Sequence, residues 1–211
     1  MKVSVIVPAW GRTPHLDEAL ASIRVQSYPD VELVVAAPPP DGPQTLPAAR
    51  QEGLVRATGE LVTFCDADDW LDPDAIEKMV QAMADNVDVV CCGLIRERAD
   101  GSRVVRPFDR EGPSDTYNAF VNKLFRREVL LGVKIDETVG LGEDLMVTAQ
   151  AMAKARGIAV IDGAFYHYRE NPQSMTHRQE GRRRVLDLAC VGALLRKVLP
   201  DPRYDDFHDR V

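Results

Sequence analysis

Leu61-Val62-Thr63-Phe64-Cys65-Asp66-Ala67-Asp68-Asp69-Trp70 sets a run of apolar and β-branched residues directly against three carboxylates. The run is short and rich in strand formers, so it reads as a buried strand whose end delivers Asp66, Asp68 and Asp69 into a loop. Carboxylates crowded within four positions repel one another unless a cation or a donor network compensates. Hard oxygen ligands at that density favour Mg²⁺ or Mn²⁺, an ion that would in turn hold a diphosphate. The plainer reading is a polar loop in which Asp72 caps the next helix.

Working outward, residues 3–7 form a second apolar run, stopped by Pro8, and the pattern predicts a buried strand followed by a loop. Thr13 and Pro14 then suit the start of a helix with Leu16, Ala19, Leu20 and Ile23 on one face. Residues 31–35 predict a strand, residues 48–57 a short helix despite Gly53, and Asp72-Pro73 the start of a helix burying Ile76, Met79, Val80 and Met83. Three strand–helix units imply an α/β fold with a mainly parallel central sheet, which binds ligands at the carboxyl ends of its strands. The acidic loop lies at such an end.

After a strand over residues 87–95 the pattern changes, because Ala99-Asp100-Gly101-Ser102 predicts a hairpin turn rather than a crossover. A helix over 143–155 and strands near 158–161 and 165–168 complete a mixed second half. A last helix over 182–199 carries Val185, Leu188, Val191, Leu195 and Val198 at helical spacing. Packing on the domain is its plain reading; a peripheral membrane or homo-oligomer contact is the sharper one. The expected organisation is one domain over 1–180, divided near residue 95, with a helical extension over 181–211.

A formal charge of −7 without a dominant basic cluster argues against a nucleic-acid partner. Cys65, Cys91, Cys92 and Cys190 lack C-x-x-C spacing, and the apolar company of the first three suggests buried thiols rather than a disulfide or zinc site. No apolar stretch reaches the length of a membrane span, so the expected location is cytoplasmic, with attachment to a membrane surface left to the last helix.

Two rival acidic motifs fit poorly. A calcium loop starting at Asp66 would place Trp70 at an oxygen-ligand position and Leu71 where glycine is required. A phosphotransfer site of the dehalogenase type also sets Asp-x-Asp after a strand, but normally after the first, and with a small residue where this chain has Asp69-Trp70.

In order along the chain, Val5-Ile6-Val7-Pro8-Ala9-Trp10, Gln26-Ser27-Tyr28-Pro29, Ala48-Ala49-Arg50-Gln51-Glu52-Gly53 and Ala57 through Asp69 resemble the family 2 glycosyltransferases of GT-A fold, and the likeness extends over about residues 2–177. The resemblance implies an inverting transfer from a nucleoside-diphosphate sugar, with a divalent Mn²⁺ or Mg²⁺ ion. It assigns Asp66 to the donor ribose or the metal, Asp68 to the metal and Asp69 to the neighbourhood of the donor sugar, with Ala67 between them in the donor site. Gly140-Leu141-Gly142-Glu143-Asp144 is similar to the family's Glu-Asp motif, where the Asp is the general base; a helix cap is the plainer explanation of Asp144. The segment Tyr166 through His177 resembles the end of the catalytic domain, where Arg169 and Ser174 would reach the diphosphate and His177 the metal. His167 and Lys123 are kept out of the active set.

The chain departs from the family at Ala36-Ala37-Pro38-Pro39-Pro40-Asp41, where an Asp-Asp-Gly-Ser type run usually meets the nucleotide base. Both carboxylates are absent, so the base is not legible, although Trp10 offers a stacking face and Pro8 and Arg50 line the same pocket. The acceptor, whether glycan, lipid-linked or a small molecule, has no signature. An alternative from another class is a catalytically silent nucleotide-binding or assembly module of the same fold. A sugar-phosphate nucleotidyltransferase fits less well, because Pro8-Ala9-Trp10-Gly11-Arg12 is a poor triphosphate loop.

Overall fold

The run Val3–Pro8 forms strand β1, buried along its whole length, in a computed structural model that describes residues 1–10, 14–109, 119–133, 135 and 143–170. Helix α1 (Leu16–Arg24) and strand β2 (Val31–Ala36) follow, then helix α2 (Leu46–Arg56) and strand β3 (Leu61–Phe64). β1 is the centre of this half, paired in parallel with β2 on one side and β3 on the other, so the carboxyl ends of β1 and β3 share one sheet edge. Strand β4 (Trp70–Leu71) and helix α3 (Ala75–Gln81) come next.

Strand β5 (Val89–Glu97) and strand β6 (Arg103–Arg106) form the expected antiparallel hairpin. Strand β7 (Lys123–Arg126), the short helix α4 (Arg127–Leu130), helix α5 (Glu143–Lys154) and strand β8 (Ile158–Arg169) complete the described elements. The sheet runs β2-β1-β3-β7-β5-β8-β4, with β6 beside β5. The first half is parallel and the second mixed, since β7 is antiparallel to both β3 and β5 while β8 is parallel to β5 and antiparallel to β4. Because β7 runs against β3, its first residue, Lys123, lies at the sheet edge where β3 ends.

Local boundaries differ from the sequence expectation in ways that have causes. The expected strands near 158–161 and 165–168 are one strand, because β8 pairs along β5 from Val89↔Ile158 to Glu97↔Arg169 and accommodates a register shift near Gly163. Gly163 takes a φ of 109°, open to glycine and strained for other residues. α3 begins at Ala75 rather than at Pro73, and Trp70 is held in strand pairing with His167. The Thr13 cap and the helix over 182–199, with the contacts expected of it, lie outside the described residues.

Gly53 sits within α2 because nothing larger fits. A methyl there would run into Ile6 Cγ2 and approach Ala36 Cβ to 3.2 Å, so the missing side chain lets α2 lie directly on β1 and β2. Gly53→Ala, a change that raises helix propensity, is therefore expected to destabilise the fold by about 1–3 kcal/mol in a denaturant titration. A neutral or stabilising result would refute this close approach.

Below the sheet, the buried Asp88 carboxylate gathers the amino end of β5, the end of β7 and the α5–β8 turn. It accepts from the Arg156 backbone N–H at 2.7 Å and from Arg156 Nε at 2.9 Å, with Arg126 Nε 3.4 Å away. These donors, the Arg156 guanidinium first, hold its pKa down to about 2. A carboxylate with a depressed folded pKa stabilises the protein above its unfolded value, near 3.9, and that contribution is lost as pH falls towards about 2. Asp88→Ala is expected to cost about 2 kcal/mol at neutral pH and to flatten stability over that acid window, measured by urea unfolding at several pH values.

Candidate active site

The carboxyl ends of β1 and β3 place the sequence-predicted carboxylates where the sheet leaves a crevice. β3 ends at Phe64, and the Cys65 amide donates to Ile6 O at 2.9 Å, carrying the chain one step further along β1 before it turns. Asp66 and Asp68 emerge half-buried, with Ala67 buried between them. Among the described residues no side chain donates a hydrogen bond to Asp68. Burial, and then the neighbouring Asp66 charge, push its carboxyl above the usual range, against the pull of His15 and Arg169.

Arg50 is the principal local counter-charge. It rises from α2, whose first turn is capped by Thr45 through the Ala48 amide, and is only 5% exposed. Its Nη2 lies 2.7 and 3.0 Å from the two Asp66 oxygens, and its guanidinium covers the Phe120 ring at 4.6 Å. Arg50 was expected to line a base pocket; its guanidinium is engaged with Asp66. Pro8 is buried at the end of β1, while Trp10 is half-buried and donates its indole N–H to Gln44 O at 2.8 Å.

Asp144 belongs to the same group. It sits in the first turn of α5, where the Leu145 amide donates to its Oδ1 at 2.8 Å. Burial pushes its pKa up and the Asp66 charge adds to this, while Arg50, the Leu145 amide and Lys123 pull it down. Lys123 is fully buried, bonds to Ala119 O and to Asn122 Oδ1, and has its own pKa lowered to about 8 by burial. Two carboxylates and two cations brought from β3, α5, α2 and β7 thus act on one another. Sequence reasoning left Lys123 aside, although Asn122-Lys123-Leu124-Phe125 resembles a family position, because a solvated strand-end lysine explained it equally well; its place in an antiparallel strand next to β3 is a long-range fact.

Arg169, at the end of β8, reaches the acidic loop by its side chain, donating from Nε to Asp68 O at 3.0 Å and from Nη2 to Glu18 at 2.6 Å while lying over Trp70. His167 is committed elsewhere: its ring nitrogens lie 2.7 Å from Glu97 and 3.0 Å from Asp72. Asp69 is buried beneath the loop. Glu143 opens α5; Ser174 and His177 lie outside the described residues.

These residues form no three-ligand cage of His, Cys, Asp or Glu among the described positions. The donor set still fits Mg²⁺ or Mn²⁺, which is commonly held by one or two carboxylates with substrate phosphates completing its shell. Unlike Asp66, which Arg50 holds, half-buried Asp68 has no guanidinium or ammonium hydrogen-bonded to its carboxylate among the described residues.

Residues 41–134 match the family model described as glycosyl transferase family 2. The chain is 24% identical over 218 residues to the putative glycosyltransferase EpsH of Bacillus subtilis, a match covering 84% of this chain and 63% of that protein. It is 30% identical over 177 residues to the succinoglycan biosynthesis protein ExoO of Rhizobium meliloti, covering 70% of this chain and 46% of that one. The chain thus spans a little under two thirds of EpsH and about half of ExoO. Among solved structures, S. aureus TarS 1-349 in complex with UDP-GlcNAc superposes with a TM-score of 0.73 at 18% identity, covering 100% of this chain and 71% of that one. The mannosyltransferase PcManGT of Pyrobaculum calidifontis, in complex with GDP-Man and Mn²⁺, gives 0.60 at 22% identity, covering 99% and 68%. The fold is that of the GT-A transferases, and residues 41–134 carry the glycosyl transferase family 2 pattern that the similar proteins named as glycosyltransferases share.

Proposed function

We propose that this chain transfers a sugar from a nucleoside-diphosphate donor to an acceptor hydroxyl, with inversion at the anomeric carbon and Asp144 as the general base. The observation that carries this is the meeting of Asp66, Arg50, Lys123 and Asp144 at the carboxyl edge of β3, with Asp68 and Arg169 adjoining them. TarS and PcManGT, which share the fold, were solved with UDP-GlcNAc and with GDP-Man, and this supports a nucleotide-sugar donor here.

In a single displacement the acceptor oxygen attacks the anomeric carbon as the bond to the diphosphate breaks, and its proton passes to an Asp144 oxygen. Arg50 and Lys123 favour the ionised form of Asp144 against its burial, which keeps a base available in a partly dry site. Asp68, with Asp66, would hold Mn²⁺ or Mg²⁺, whose Lewis acidity offsets charge on the leaving diphosphate. Arg169 would add a cationic contact to the phosphates, and Trp10 a stacking face for the base. No helix among the described residues is long and apolar enough to cross a membrane.

The test is release of nucleoside diphosphate from a panel of UDP-, GDP-, CDP- and TDP-sugars, with Mn²⁺, with Mg²⁺ and with chelator. Metal-dependent release from at least one donor is expected. Silence across the panel, with nucleotide binding retained, would favour the assembly-module alternative.

A further inference from the structure

The acidic cluster contains a third carboxylate that the proposed mechanism does not use. Asp69 is 1% exposed, and both of its oxygens are spent inside the protein. Tyr166 donates its hydroxyl to Asp69 Oδ2 at 2.5 Å, and the Arg169 backbone N–H donates to Oδ1 at 2.8 Å. The same Tyr166 oxygen accepts from the Asp66 backbone N–H at 3.1 Å. Arg169 Nε donates to Asp68 O at 3.0 Å, and the turn closes internally through the Asp69 amide and Asp66 O at 3.1 Å. Every residue bearing a carboxylate in this loop is therefore fixed, through its backbone or its side chain, to β8, which enters from the other half of the sheet. β4, immediately after the loop, is registered on the same strand through Trp70↔His167 and Leu71↔Tyr166.

We propose that Asp69 and Tyr166 are positioning residues: they lock the loop that carries Asp66 and Asp68 onto β8, and so set the spacing of the two carboxylates that meet the metal and diphosphate. The inference rests on the donor-site reading above and adds to it that Asp69 acts through geometry rather than by touching donor or ion. A carboxylate with both oxygens occupied at this burial would have to break two hydrogen bonds to reach either. A Tyr hydroxyl is suited to the task because it donates to the Asp69 carboxylate while accepting from the Asp66 amide. Groups that orient a ligating side chain from behind commonly alter metal affinity by about 10–100-fold when removed.

The experiment uses the full chain and its Tyr166→Phe, Asp69→Ala and Asp69→Asn variants, with two readouts. Amide hydrogen exchange follows residues 66–69 against the β1 and β3 core, and electron paramagnetic resonance of free Mn²⁺ measures Mn²⁺ affinity in the presence of UDP and, separately, GDP. Tyr166→Phe and Asp69→Ala are expected to speed exchange in the loop, with core protection retained, and to weaken Mn²⁺ binding about tenfold. Asp69→Asn keeps an oxygen for the Arg169 amide and a polar group for Tyr166, so it is expected to stay within about threefold of the parent in both. Unchanged exchange and affinity in Tyr166→Phe would overturn the lock. An Asp69→Asn variant as weak as Asp69→Ala, with its loop still protected, would overturn it too, by showing that the charge acts directly. If the parent chain binds no Mn²⁺ with either nucleotide, the donor-site reading fails, and loop exchange in Tyr166→Phe then decides the lock by itself.

Discussion

Asp144→Asn is expected to lower turnover at saturating donor by about 10²–10⁴-fold, the usual worth of a positioned general base, while leaving donor affinity nearly unchanged. The amide matches the carboxylate in size and can still accept from the Leu145 amide, so the start of α5 keeps its form. What it loses is the capacity to take a proton. The parent enzyme is expected to show an acid limb in kcat/KM above the ordinary aspartate range, because burial, and secondarily the Asp66 charge, raise the Asp144 pKa. The sign follows from the role: a base must be ionised, so activity falls as pH drops through the raised value. Steady-state kinetics across pH tests both statements. An Asn variant within tenfold of the parent, or an acid limb at or below about 3.9, would remove Asp144 from the role.

Arg50→Met is expected to act on stability and on catalysis together. It deletes the cation paired with Asp66 and leaves that carboxylate facing Asp144 without its nearest neutralising partner. Breaking a fully buried ion pair from one side costs about 3–5 kcal/mol. Asp66 keeps 24% exposure, so water recovers part of the loss and about 2 kcal/mol is expected in urea unfolding. For catalysis, losing a positive charge disfavours ionised Asp144, and the acid limb is expected to move to higher pH. Arg50→Lys retains a charge but not the flat guanidinium that lies over the Phe120 ring, and should recover more of the pH profile than of the donor affinity. A limb that stays in place in Arg50→Met would show that Arg50 does not tune the base.

Much of this site was legible along the chain. The step from Leu61-Val62-Thr63-Phe64-Cys65 into Asp66-Ala67-Asp68-Asp69 marks a strand end with crowded charge, and the observed β3 and its loop follow that reading closely. β1, β2, α2 and the β5–β6 hairpin were readable for the same reason, since alternation, turn residues and helix caps are local properties. The bound of α3, the continuity of β8 and the strand pairing of Trp70 were not, because each is imposed by a partner strand rather than by its own residues.

The sequence by itself determined that a strand would deliver three carboxylates to the edge of an α/β sheet, and that a fourth, Asp144, would stand near a helix start. Only the tertiary structure decided which of them is paired with a cation and which is buried with both oxygens hydrogen-bonded. Arg50 meets Asp66 across 16 positions and Tyr166 meets Asp69 across 97. Lys123 arrives through a strand inserted between β3 and β5. Such pairings depend on the order and direction of strands, and a carboxylate's protonation depends on its distance to charges and on its burial, neither of which a local pattern contains.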